Sequence, residues 1–330
     1  ASTSAVIFTI DATTSTICSI ASAEITFLKA GSCKVNANQA GDTNYLAASQ
    51  VQQSITVGKG SQVLDFTSTP PVNPVVGGST YTVGATGGAS GSEVTFSIDG
   101  STSANCSILG TVVSFTAVGS CVVKANQLGS NDYNAAPEVT QTIAVGLGTQ
   151  VIDFSSTPPN NAIVDGPSYL ISATGGASGN PVFYTVGASS ATVCSIVGDE
   201  ISFIGVGDCV VSANQNGSTN YNAANEVTQV IAVGKGAQAL SFTSSAPSNA
   251  VVDGASYTVS ATGGATNSAI VFSIDASSSA ICSISGAEVS FTAAGTCTVN
   301  VNQDGDANYN AASQIQEVFT VGKGTQVVAF

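Results

Sequence analysis

Eight cysteines in four matched pairs are the residues whose type and spacing most directly specify chemistry in this chain. Cys18 with Cys33, Cys106 with Cys121, Cys194 with Cys209 and Cys282 with Cys297 share one internal spacing, and each pair follows the last at the same interval (106 − 18 = 88). An even count leaves none over, so the pattern predicts four disulfides, each closed inside its own repeat. Each contributes about 3 kcal/mol where denatured-chain entropy dominates. Such bonds place the chain in an oxidising compartment, extracellular or at a cell surface. Buried free thiols are the competing assignment. Zinc is disfavoured, because two cysteines per repeat without histidine are too few ligands.

Other reactive groups are sparse. There is no histidine to act as a general base, and the cysteines are accounted for in pairs. The most regular acidic position, Asp11, Asp99 and Asp275, is Gly187 in the third copy, and it reads as a solvated strand end. Calcium is the site hypothesis with most to recommend it. The loop before a repeated tyrosine offers Asp42 and Asn44, Asn131 and Asp132, Asn220, and finally Asp304 with Asp306. A hard cation wants six to eight oxygens, several of them carboxylate, and the third copy supplies no acid there. Asp304 and Asp306 are therefore the calcium candidates, against the simpler reading of Asn and Asp as turn formers. Lys–Asn cross-links are disfavoured because residues 146–233 contain no lysine. The tyrosines Tyr45, Tyr133, Tyr221 and Tyr309 could stack on a glycan or pack the last loop of each repeat, and their fixed place favours packing.

Six basic residues against twenty acidic ones give a net charge of −14, which excludes a phosphate-neutralising nucleic-acid surface. No apolar run reaches the roughly 18–20 residues that span a bilayer.

The 88-residue interval is strict, without insertion or deletion, and makes each copy one unit of a tandem array. The expected domains are 1–57, lacking its opening strands; 58–145; 146–233; 234–321; and 322–330, the first strand of a following unit. Within 58–145 the apolar period is two: Val63, Leu64 and Phe66; Tyr81, Val83 and Ala85; Val94, Phe96 and Ile98; Cys106 and Ile108; Val113 and Phe115; Cys121, Val123 and Ala125; then Val139, Ile143 and Val145. Seven short strands with closely spaced turn signals predict an all-β antiparallel sandwich. Pro70, Pro71 and Pro74 interrupt the stretch between the first two strands and protect an edge.

The linkers "VGKGSQ", "VGLGTQ", "VGKGAQ" and "VGKGTQ" place Gly58 and Gly60, Gly146 and Gly148, Gly234 and Gly236, and Gly322 and Gly324 between consecutive units. About three residues separate the strands they join, so relative motion is restricted while the glycines keep some bend. A semi-rigid rod is expected. Its ends are out of phase with the repeat, since Ala1 matches Ala89 and Phe330 matches Phe66. A slice of a longer array is expected, or else a subunit whose last strand completes its neighbour. The missing second strand favours the slice.

The segment "AVGSCVVKANQLGSNDYNAAPEVTQTIAVG" and its three partners resemble the bacterial immunoglobulin-like repeats of large surface proteins, in which a "G-x-x-x-V-x-A" strand, a "G-x-x-x-Y-x-A" loop and a closing "V-x-V" strand recur. The resemblance implies stacked immunoglobulin-like sandwiches that hold other modules away from a cell. It departs from an antibody domain in lacking tryptophan and in placing the tyrosine after the second cysteine, which implies a disulfide between different strands. The reading is a non-enzymatic structural array forming a stalk or shaft of an extracellular surface protein or filament. The alternatives are an adhesive face recognising a glycan or host receptor, and a fibre subunit that polymerises by strand donation. Expected partners are neighbouring repeats or identical chains; the sequence names no receptor.

Overall fold

The computed structural model describes residues 2–328 of the chain. Among them every regular element is a β-strand or a single-turn 3-10 helix. The chain divides into two compact units, Ala1–Thr149 with Gly217–Asn222, and Gln150–Asn216 with Ala223–Phe330.

The first unit contains the period in its complete form, residues 58–145. Its strands are β1 (Asp65–Phe66), β2 (Tyr81–Thr82), β3 (Ala85–Thr86), β4 (Val94–Ile98), β5 (Cys106–Leu109), β6 (Val112–Phe115), β7 (Gly119–Gln127) and β8 (Val139–Val145). One sheet has the order β8-β7-β4 and a second the order β5-β6-β2, while β1 pairs with β3. All pairings are antiparallel, with Cys121 opposite Ile143 and Val123 opposite Ile98. Alternation explains the layering. Along β7 the side chains of Cys121, Val123, Ala125 and Gln127 are buried and those between are not, the mark of a strand with one inward face. Cys121 and Val123 meet Val113 and Phe115 of the opposite sheet in one core, and Ala125 packs with Leu64 and Ala136 in a second cluster. Fully burying a valine of this kind stabilises the fold by about 1.5–3 kcal/mol. This is an immunoglobulin-like β-sandwich.

The same sheets recur in the second unit. Gly207–Gln215 and Gly295–Gln303 are the central strands, flanked by Val182–Val186 with Val227–Val233 and by Ile270–Ile274 with Ile315–Val321. All four disulfides are present. Cys106 on β5 is joined to Cys121 on β7, so the bond links the two layers, and Cys18–Cys33, Cys194–Cys209 and Cys282–Cys297 do the same in their copies.

Three expectations are refined. The second predicted strand is two short ones, β2 on one sheet and β3 against β1. Between them the Val83 N–H donates to Thr111 O, and Gly84 O then accepts from Thr67 and Ser68. A chain crossing between layers satisfies its backbone groups by changing partners. Asp99 is more than a solvated strand end: its carboxylate accepts the Ser101 N–H at 2.9 Å and caps the 3-10 turn Gly100–Thr102. Asp11 and Asp275 cap their turns likewise, while Gly187 has no side chain to do so. The proline-rich stretch is also a pairing partner, since Pro74 O accepts the Gly146 N–H.

Residues 1–57 form the sheet of Val6–Ile10, Gly31–Gln39 and Val51–Val57 and the hairpin Cys18–Ala21 with Glu24–Phe27. No described strand covers that hairpin as β2 covers β6, so Phe27 is 51% exposed where Phe115 is 4%. At the other end, Lys323–Val328 carry no strand. The positions matching β1 are Ala329 and Phe330, which lie outside the described residues.

Candidate functional site: the linker clasp

An extended chain turns successive backbone groups to opposite sides, and the linkers use both. In the second unit, the Gly234 N–H donates to Ala162 O at 2.9 Å and Gly234 O accepts from Val164 at 3.0 Å. Two residues later the Gly236 N–H donates to Asn308 O at 2.8 Å and Gly236 O accepts from Asn310 at 3.0 Å. These are parallel bridges, Ile163 with Gly234 and Gly236 with Tyr309. One linker is thus hydrogen-bonded to the proline-side loop that precedes it and the tyrosine loop that follows it.

Side chains of the tyrosine loop reach further. Asn308 Oδ1 accepts the Val206 N–H at 3.2 Å, and the Tyr309 hydroxyl donates to the Asp165 carboxylate. That bond, with burial second, raises the Tyr309 phenol above its ordinary pKa. The first unit holds the same contacts: Asp132 Oδ1 accepts the Ala30 N–H at 3.0 Å and Asn220 Oδ1 accepts the Val118 N–H at 3.0 Å. Gly60 bridges Tyr133, and Gly148 bridges Tyr221. The Tyr221 ring packs against the core containing Val76 and Tyr81.

The paired glycines of each linker have different physical duties. A Cβ added at Gly236 would stand 2.6 Å from Val164 O and 2.9 Å from the Tyr309 ring, whereas one at Gly234 would meet nothing closer than 3.7 Å. Gly148 and Gly60 also face tyrosine rings, with Gly324 tight against Val252 O, and Gly146, Gly322 and Gly58 have room. The second glycine of each of the four linkers is therefore a close-approach residue.

Of the two calcium candidates, Asp306 is engaged as a turn former. Asp306 Oδ1 accepts the N–H groups of Asn308 and Tyr309 at 2.8 and 2.9 Å, folding its own loop. Asp304 contributes its backbone carbonyl to Gln238 and Thr266. Among the described residues there is no group of three or more His, Cys, Asp or Glu side chains that could hold a metal ion. Asp42 repeats the turn-forming role in residues 1–57, and the Asn44 and Tyr45 N–H groups hold its carboxyl below the usual range.

The glutamine that ends each linker motif is a residue the sequence reading passed over. Gln62 is buried; its amide donates to Leu128 O and Asn134 O and its carbonyl accepts the Ser90 N–H, tying linker to loop. Gln238 makes the matching bonds to Asp304 O, Asn310 O and the Thr266 N–H. Its signal was available: it stands at 62, 150, 238 and 326, unchanged in every copy.

No protein-family profile matches the chain, and no curated protein matches it. Among solved structures it is similar to Drosophila N-cadherin EC1-4, at 14% identity over 98% of this chain and 93% of that one, with a TM-score of 0.26. Sidekick-1 immunoglobulin domains 1-5 match at 15% identity over 94% and 71%, with a TM-score of 0.31. The S-layer protein rSbsC matches at 12% over 98% and 54%, with a TM-score of 0.25.

Proposed function

We propose that the chain is a non-enzymatic structural array, a semi-rigid stalk or shaft of an extracellular bacterial surface protein or filament. Its domains in this reading are the sandwiches 58–145, 146–233 and 234–321, preceded by the partial sandwich 1–57. The observation that carries the proposal is the clasp: the Gly146–Gly148 and Gly234–Gly236 linkers have backbone hydrogen bonds on both sides, and the tyrosine loop adds side-chain bonds across the same gap. A hinge would leave those groups to water. The disulfides fit an oxidising exterior, and no described helix is long and apolar enough to cross a membrane. Tyr133, Tyr221 and Tyr309 are half-buried in clasps, which speaks against a ladder of rings open to a glycan.

Small-angle scattering of the 330-residue chain tests the reading. An extended particle whose profile matches rigidly joined sandwiches, unchanged between low and high salt, is expected. A profile of flexibly linked beads would sink it.

A further inference from the structure

On one side the clasp is held by a stretch of the preceding sandwich that is itself lightly tied. In the sandwich 146–233 that stretch is 152–174, and it carries Ala162, Ile163 and Val164, the partners of Gly234. Its strands Asp153–Phe154 and Ala173–Thr174 pair with each other, two residues deep. Tyr169 and Leu170 pair with Ile201 and Glu200, and the N–H groups of Asp165 and Ile171 donate to Phe203 O and Asp199 O at 3.0 and 2.9 Å. Pro158, Pro159 and Pro167 have no N–H to give.

The frame around this stretch is tied more heavily. Gly207–Gln215 pairs with Val227–Val233 at seven positions and with Val182–Val186 at five. The Cys194–Cys209 bond joins that sheet to the hairpin of the opposite layer. None of these ties includes residues 152–174.

Burial and one polar pin keep the stretch closed. Ile152, Val164 and Ile171 are 1–2% exposed. The Tyr169 hydroxyl is hydrogen-bonded to the Ser156 hydroxyl at 2.7 Å and to Gln229 Oε1 at 3.0 Å, and Gln229 Nε2 donates to Ser156 O at 3.1 Å. Gln229 lies on Val227–Val233, so the pin fastens the stretch to the frame. The sandwich 58–145 repeats it with Tyr81, Ser68 and Gln141.

We propose that residues 152–174 are a strap that opens as a unit while the disulfide-tied frame stays folded, and that its opening releases the linker behind it. Segments with few ladder bonds open at lower free energy than the sheets around them. The Gly234 bonds to Ala162 and Val164 require a closed strap, whereas the Gly236 bonds to Asn308 and Asn310 do not. The pin of one sandwich thereby sets the stiffness of the joint that follows it. The proposal rests on the array reading, because the clasp is the part it regulates.

Amide hydrogen exchange on the 330-residue chain, read residue by residue under native conditions, provides the test. Tyr169→Phe keeps the ring and removes the pin's hydroxyl. Exchange at Ser155, Ile171 and Gly234 should quicken about two- to tenfold, while Gly187, bonded to Val210 O in the frame, and Gly236 keep their wild-type rates. Tyr81→Phe should act in the same way on Thr67, Val83 and Gly146 and leave Gly234 alone, since the Gly146 N–H donates to Pro74 O of its own strap. Equal acceleration of Ile171 and Gly187 would mean that strap and frame open as one body, and would overturn the proposal. So would a faster Ile171 with Gly234 unmoved, or no change at all. Free exchange at Gly234 and Gly236 in the unmutated chain would remove the clasp and the array reading with it; protected amides that ignore Tyr169→Phe would remove the strap alone.

Discussion

Replacing one glycine of a linker should destabilise the chain while replacing its neighbour should not, and Gly236 and Gly234 make the sharpest pair. Neither has φ in the left-handed region, so backbone strain does not distinguish them. At Gly236 a methyl group would lie 2.6 Å from Val164 O, a backbone atom that cannot rotate aside, and 2.9 Å from the Tyr309 ring. Overpacking of this kind costs about 1–3 kcal/mol. At Gly234 the nearest atoms would be Ala162 O at 3.7 Å and Ile163 Cγ2 at 3.8 Å, ordinary contacts. There the alanine mainly restricts the unfolded chain, which stabilises by about 0.4–1 kcal/mol. Calorimetry should therefore show Gly236→Ala lowering the unfolding temperature of the affected sandwich, by roughly 4–8 °C per kcal/mol, and Gly234→Ala raising it slightly. Hydrogen exchange locates the cause: the Gly236 and Asn310 amides, bonded across the clasp, should lose protection only in Gly236→Ala. If Gly236→Ala unfolds at or above the wild-type temperature with both amides still protected, the close-approach argument is wrong; if both amides exchange freely in the unmutated chain, the clasp itself is.

Three further outcomes follow from the same geometry. Gln62→Leu leaves Leu128 O, Asn134 O and the Ser90 N–H without their shared partner, and chemical denaturation should report a loss of about 1–3 kcal/mol; an unchanged midpoint would reduce that residue to filler. Removing one cross-layer bond with the double variant Cys106→Ala/Cys121→Ala should cost about 2–4 kcal/mol, read as a separate early transition in calorimetry. At high pH, Tyr257 is the group to watch: burial first, then its bond to Glu317, pushes its phenol up to about 12. A group with its folded pKa raised contributes fully below the unfolded value of 10.0 and loses that contribution as pH climbs through the folded one. Thermal stability should fall between pH 10 and about 12, and Tyr257→Phe should flatten that slope; an equal slope in the variant would assign the loss elsewhere.

Much of the fold could be read from pattern. The two-residue alternation located the strands, and the cysteine interval located both the repeat and the pairing, because burial on one face of a sheet writes itself directly into sequence. The split between β2 and β3 could not be read that way. Tyr81, Val83 and Ala85 alternate without a break, and only the neighbours on each side decide that Gly84 O turns to Thr67 while Val83 stays with Thr111. The same limit hid the clasp. Glycine, asparagine and tyrosine in short loops carry turn signals, and these account for Asp306 folding its own loop. That Asn308 then reaches the Val206 N–H, 102 positions away, depends on where two sandwiches meet.

By itself the sequence determined an all-β tandem array of disulfide-linked sandwiches with little material for catalysis, because composition, period and cysteine spacing are local and additive properties of the chain. Only the tertiary structure decided what the linkers are. A backbone amide has no sequence signature, and whether it bonds to water or to a neighbouring loop depends on close approach in space. Gly236 meets Tyr309 across the clasp, and that proximity makes it a position where a side chain has no room.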